Sequence, residues 1–237
     1  MQKLKNDLSN YSNIFVMKNK HYCLFFGLMI QAVSLFAQDA SIGKYMFSFH
    51  AGPSQYMGKF MGITDYSDHY RDGLRDGIAW NVNYYYLTDK HIFHSWKFAP
   101  GFIYEGSRYK NSHRDGSDKI RMNYIAPQLA LFMVKRKYNL SLSAGLGYQF
   151  YKDKSTVYDT PREVSMNKIA SNLSAAAEYL FSSQWGVSGK LNWITSSSDS
   201  YSVRYHGQTW KVESPESSDG GGDFSHLSLL IGLNYHF

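Results

Sequence analysis

The chain of 237 residues holds one cysteine, Cys23, and five prolines. A single cysteine excludes an internal disulfide framework and any Cys-based metal knuckle. The scarcity of proline leaves long stretches able to pair as strands. No HExxH, phosphate-loop or GxSxG pattern occurs, so no metal, cofactor or motif-borne catalytic residue is expected. The longest apolar run, Tyr22 to Leu35, is too short for a helical membrane span. Basic charge in marked excess is lacking too. Of 25 Lys plus Arg against 19 Asp plus Glu, residues 1–37 carry Lys3, Lys5, Lys18 and Lys20 against Asp7, which leaves 21 against 18, spread along the chain. That pattern excludes a nucleic-acid footprint.

What the chain has in quantity is aromatic residues, 20 Tyr and 15 Phe, arranged with period two. In the last eleven residues Leu227, Leu229, Ile231, Leu233, Tyr235 and Phe237 share one face of an extended strand, and Ser228, Gly232, Asn234 and His236 the other; Leu230 is the exception. Equivalent alternation marks seven earlier segments: Tyr45 to Ala51, Ile78 to Tyr86, Trp96 to Tyr104, about 120–134, Leu140 to Phe150, Ile169 to Phe181, and Trp185 to Trp193. In the fourth, Tyr124 and Phe132 fall out of phase. Pro100 and Pro127 lie inside segments and predict a bulge or local twist.

The connections alternate long and short: 54–76, 106–118, 152–168 and 196–223 long; 88–91, 135–139 and 182–184 short. The polar faces hold small neutral residues such as Asn81, Asn83, Ser141, Ser143, Gln149, Asn172, Ser174, Asn192 and Asn234, where a soluble sandwich would carry Lys and Glu. Both features predict an all-β chain, an eight-stranded antiparallel up-and-down transmembrane β-barrel, with short turns and termini periplasmic and long loops extracellular. Tyr45, Tyr86, Trp96, Tyr104, Tyr179, Phe181, Trp185, Tyr235 and Phe237 then fall in two interfacial belts. Residues 1–37 read as a leader with a signal peptide starting at Met17 and cleaved after Ala37, and 38–237 as the barrel domain.

Eight strands enclose a centre that side chains fill. Lys97, Glu105, Glu178 and Lys190 fall on its polar face and predict a lumen network, with Glu178 and Lys190 paired across neighbouring strands. The Asp-Gly pairs at 72–73, 76–77 and 115–116 read as turns. Tyr56, Phe60, Tyr66, Tyr70, Tyr201, Tyr205 and Trp210 predict a recognition surface on the long loops.

The leader, the eight alternating segments and the terminal Leu-Asn-Tyr-His-Phe resemble the small OmpA/OmpX-type outer-membrane barrels of Gram-negative bacteria. The resemblance implies an outer-membrane location, with outer-membrane lipid and lipopolysaccharide as surroundings. It also implies Tyr235 and Phe237 as the signal read by the barrel-assembly machinery. The chain stops at Phe237 without the periplasmic wall-binding domain some of these proteins carry, so wall tethering is not expected. The function expected is non-enzymatic: an envelope-structural or surface-contact module, or an accessory of a larger complex, with a protein partner at the external loops. Two alternatives stand beside it. His226 and Ser228 resemble the His-x-Ser of outer-membrane lipid A deacylases, and the lumen charges allow a narrow ion channel.

Overall fold

The computed structural model describes residues 43–93, 96–213 and 222–237; the leader and Met17 lie outside them. Eight long strands close on themselves: β1 (Tyr45–Tyr56), β2 (Asp76–Tyr86), β4 (Trp96–His113), β5 (Gly116–Val134), β6 (Tyr138–Val157), β7 (Thr160–Leu180), β8 (Trp185–Thr195) and β13 (His226–His236). Each pairs antiparallel with its neighbour, β7 joins β8, and β13 pairs with β1 from Met46↔His236 to Tyr56↔His226. Closure leaves these strands no free edge within the barrel. Short β3 (His91–Phe93) leans on β4.

Side chains obey the period of two, but the sign of the pattern depends on height. Through the middle of the barrel the outward residues are apolar and exposed: Leu146 at 65%, Ile169 at 67% and Leu229 at 62%. A soluble protein does not leave a continuous belt of such residues open to water. Aromatic rings bound the belt. At the short-turn end Tyr45 and Tyr235 stack on Phe237, with Tyr86 tilted against Tyr45 and Trp185 against Tyr235, and Trp80 meets Tyr104 at the other. Inward positions over the same height mix Asn, Ser, Gln and His with small or apolar residues such as Ala99, Ala126, Ala130 and Ile103. Leu230, the exception in the terminal strand, is buried inside opposite Lys190.

Two expected loops are strands. β4 and β5 pair without interruption up to His113↔Gly116, and β6 and β7 up to Val157↔Thr160. Thus 106–118 and 152–168 are tall hairpins with two-residue turns. Tyr158 (φ 46°) and Asp159 (φ 61°) both take the left-handed conformation that fits a hairpin twist. Above the belt water replaces lipid, so charge turns outward and apolar residues inward, which removes the outward apolar signal from the sequence without ending the strand. Tyr124 and Phe132 lie out of phase because they face inward.

The 54–76 connection contains helix α1 (Asp68–Arg75), whose Tyr70 and Leu74, one turn apart, are its buried side chains. Asp72-Gly73 is therefore helical and Asp76-Gly77 opens β2; of these and Asp115-Gly116, only the last lies at a hairpin turn. Past β8 the chain forms β9 (Ser197–Ser198), β10 (Ser200–Tyr205), β11 (Gln208–Glu213) and β12 (Gly222–Asp223). β10 adds to the top of β7, and among the described residues β11 is the outer strand of the sheet. Neither proline makes a bulge. The β4–β5 register runs unbroken through Pro100↔Leu129 and Phe102↔Pro127. Opposite β6, pairing skips from Ile125↔Tyr148 to Gln128↔Gly145 with the register unchanged, because the proline nitrogen has no hydrogen to give.

Candidate functional site

The lumen is a stack of hydrogen-bonded layers. In the layer nearest the tall hairpins, Glu105 is 1% exposed and accepts from Asn81 Nδ2 (3.0 Å), Asn192 Nδ2 (2.6 Å) and Ser228 Oγ (3.1 Å), with His226 Nε2 at 3.3 Å. Ser228 also lies 3.0 Å from Ser54, whose hydroxyl shares a 2.6 Å bond with Tyr109. In the middle, Lys190 Nζ donates to Asn83 Oδ1 (2.7 Å), Gln128 Nε2 reaches the same oxygen (3.2 Å), and His50 lies between Asn81 (3.2 Å) and Ser188 (2.7 Å). At the short-turn end Glu178 meets His236 Nε2 (2.7 Å) and Asn139 Nδ2 (2.6 Å). Gly186 leaves the space that the Glu178 carboxylate occupies; a Cβ there would overlap it.

Three of the four expected network residues, Glu105, Glu178 and Lys190, are buried in this stack. Lys97 is half-buried near the short-turn end, opposite Phe132. The expected Glu178–Lys190 pair is absent. The register sets Glu178 opposite Ser188 and Lys190 opposite Ala176, so the carboxylate turns to His236 and the ammonium to Asn83. The carboxylates thus meet histidines instead of lysines. Strand parity is enough to put His226 and His236 on the inner face with Ser228 and Asn234, but the partners of these histidines and of His50, not singled out from the sequence, depend on registers summed around the barrel, which no local pattern records. One cavity of about 20 Å³, lined by His50, Glu178, Ser188 and Lys190, has room for about one water.

Above the lumen lies an apolar cap. Tyr56, Phe60, Ile63, Tyr70, Leu74, Tyr109, Ile120, Met122, Tyr151, Val164, Met166, Val203 and Phe224 form one buried cluster. Tyr56 stacks on Phe60 at 4.2 Å and meets Tyr109 edge-on at 5.7 Å. This corrects the expected recognition surface: Tyr56, Phe60 and Tyr70 are buried, Tyr201 and Tyr205 half-buried, and only Tyr66 (56%) and Trp210 (44%) stand open. These rings, with Ile63 and Leu74 of the same loop, close the barrel mouth.

Asp118, fully buried, ties the cap together. Its Oδ2 accepts from the Thr64 backbone N–H (2.9 Å), Thr64 Oγ1 (2.6 Å) and Tyr70 Oη (2.8 Å), and Arg162 approaches its Oδ1 at 3.7 Å. Arg162 also donates to the Gly62 carbonyl. Asp153 faces Asp118. Burial, then the neighbouring carboxylate, pushes the Asp153 carboxyl up to about 8.

His226 and Ser228 do gain an acidic neighbour, Glu105, which sequence reasoning missed. The arrangement differs from a nucleophile relay. In a relay the imidazole stands between carboxylate and hydroxyl. Here the carboxylate stands between the other two, and all three side chains are at most 1% exposed.

A closed eight-stranded barrel with a lipid-facing belt, aromatic girdles and a polar filled lumen defines the class: a small outer-membrane β-barrel of the Gram-negative type. Among solved structures the chain resembles a major outer membrane protein from Thermus thermophilus (14% identity, TM-score 0.51, covering 81% of this chain and 99% of that one). It also resembles Neisserial surface protein A (11%, TM-score 0.47, 83% and 99%) and Ail, the attachment invasion locus protein of Yersinia pestis (12%, TM-score 0.44, 83% and 100%). No protein-family model and no curated protein matches the chain.

Proposed function

We propose that this protein is a non-enzymatic envelope module: a sealed barrel that anchors a structured extracellular end for surface contact. The observation that supports it most is the double closure, a lumen spanned by side-chain hydrogen bonds under an aromatic cap. Conduction would need both to open. The exposed chemistry is concentrated on the tall hairpins and on the β10–β11 arm, with Trp210, the Lys211–Glu213 pair and a β11 edge that no described strand pairs. Short turns and the carboxyl terminus then face the periplasm, where Tyr235 and Phe237 are offered to the assembly machinery.

Planar-bilayer recording should give no unitary conductance for the intact protein, while Tyr56→Ala/Phe60→Ala, which thins the cap, should admit flickering small-ion steps. Open channels in the unmodified protein would reject the sealed-barrel reading. Protease added to intact cells should cut in the β10–β11 arm, and protection of that arm until the cells are broken would reverse the orientation.

The deacylase alternative has one observation in its favour, the Glu105 carboxylate beside His226 and Ser228. Their burial and the central carboxylate favour a structural role. Incubation with lipopolysaccharide should release no acyl chain; release that Ser228→Ala abolishes would restore the enzyme reading.

A further inference from the structure

Cations scattered in the sequence are assembled by strand pairing. On the outer wall of the tall hairpins, Arg108 pairs with Arg121 and Arg121 with Lys152, while Lys110 pairs with Lys119 in the next row out. Lys154 lies on the same face of β6, two residues beyond Lys152. All six are exposed. Like charges directly opposite one another on paired strands are destabilising, so three such pairs in one patch need a compensating anion. The protein supplies little. Lys152 bridges Glu163 at 2.8 Å, and among the described residues Arg108, Lys110, Lys119, Arg121 and Lys154 have no ion pair.

The height of the patch identifies the anion. Directly below the Arg108–Arg121–Lys152 row comes Gly106–Asn123–Phe150, and below that the outward apolar row Tyr104–Ile125–Tyr148. From Met133 up to Arg121 the outer wall of β5 rises about 30 Å, at roughly 2.5 Å of axial rise per residue for a tilted strand. The hydrocarbon band is about 25 Å tall, so the cations stand at head-group level, against the bilayer and not above it. Across three strands the row is about 10 Å wide, and guanidinium groups match phosphate oxygens in bidentate fashion.

We infer that this face is a binding site for the phosphorylated glycolipid of the outer leaflet, with Arg108, Arg121 and Lys152 on the phosphates and Lys110, Lys119 and Lys154 on the acidic sugars above. The inference rests on the orientation proposed above, with the tall hairpins outside. A soluble sulfated glycan shares the charge but has no reason to select cations at the lipid boundary.

The test uses the protein folded into phosphatidylcholine nanodiscs carrying either bisphosphorylated or dephosphorylated lipid A, with retained lipid measured by native mass spectrometry. The wild type should enrich the phosphorylated form. Each of Arg108→Gln, Arg121→Gln and Lys152→Gln should reduce enrichment roughly three- to tenfold, as expected for loss of a charged hydrogen bond at a partly exposed site. Lys135→Gln/Lys137→Gln, at the opposite rim, should change nothing. Heat-modifiable gel mobility of the same samples reports folding; if a triple variant fails to fold, the single variants carry the test. Equal retention of both lipids, undiminished enrichment in folded variants, or preference for a soluble sulfated glycan over lipid A would each overturn the inference. A chain that does not insert at all would instead overturn the barrel reading beneath it.

Discussion

Replacing Glu105 by alanine removes the acceptor on which the upper lumen layer converges. Asn81 Nδ2 and Asn192 Nδ2 would lose the carboxylate oxygen at 3.0 and 2.6 Å. Ser228 would keep Ser54 as its neighbour, and His226 would keep the Phe224 carbonyl at 3.5 Å. Two buried amide donors are therefore orphaned, at about 1–3 kcal/mol each. Water entering the vacated space returns part of that, which leaves a predicted loss of about 3 kcal/mol in unfolding free energy. Glu105→Gln retains the shape and one carbonyl acceptor, so about 1 kcal/mol is expected. Reversible urea unfolding in lipid vesicles, followed by tryptophan fluorescence, measures both. Alanine within about 0.5 kcal/mol of wild type, an ordinary surface value, would refute the idea that this layer stabilises the barrel.

At the short-turn end, Gly186→Val should displace the Glu178 carboxylate from His236 and reduce the heat-resistant folded fraction, while Gly189→Ala, where a Cβ meets nothing within 4 Å, should be silent on the same gel. The cap should respond to pH through Asp153. The unfolded chain releases that proton near 3.8 and the folded cap near 8, so the folded cap binds more protons between these values. Cap stability should therefore fall as pH rises from about 4 to about 8 and level off above. Hydrogen exchange of the 60–75 amides against pH reads this, and Asp153→Asn should abolish the slope; an unchanged slope would remove Asp153 as its source.

Much of the barrel is legible in the sequence because lipid imposes its demand locally. Phe47, Leu142 and Leu229 each announce an outward face, and eight repetitions of that alternation announce a barrel. The tall hairpins are not legible, because Lys119, Arg121 and Lys152 take the outward positions that Ile125 and Tyr148 take lower down, and a search for apolar alternation stops where the lipid stops. Helix α1 is missed for a related reason: two apolar residues, Tyr70 and Leu74, are too few for a period to show. Site residues divide the same way. Parity alone sends Glu105, Glu178 and Lys190 inward, but Glu105 meets His226 and Ser228 across strands that are not neighbours, and the Glu178–Lys190 expectation fails by a register step of two residues. The cation patch is invisible along the chain, since Arg108, Arg121 and Lys152 are adjacent only after pairing.

The two faces of the terminal strand test the account most directly. On a Cys23→Ser background, a fluorophore at Leu229→Cys should be quenched strongly by bromine-labelled acyl chains in lipid vesicles, and one at Leu230→Cys, one residue along and facing the lumen, should not. Equal quenching at both positions, or quenching of both by a water-soluble agent alone, would contradict a closed barrel that turns its apolar side to lipid and its hydrogen-bonded side inward.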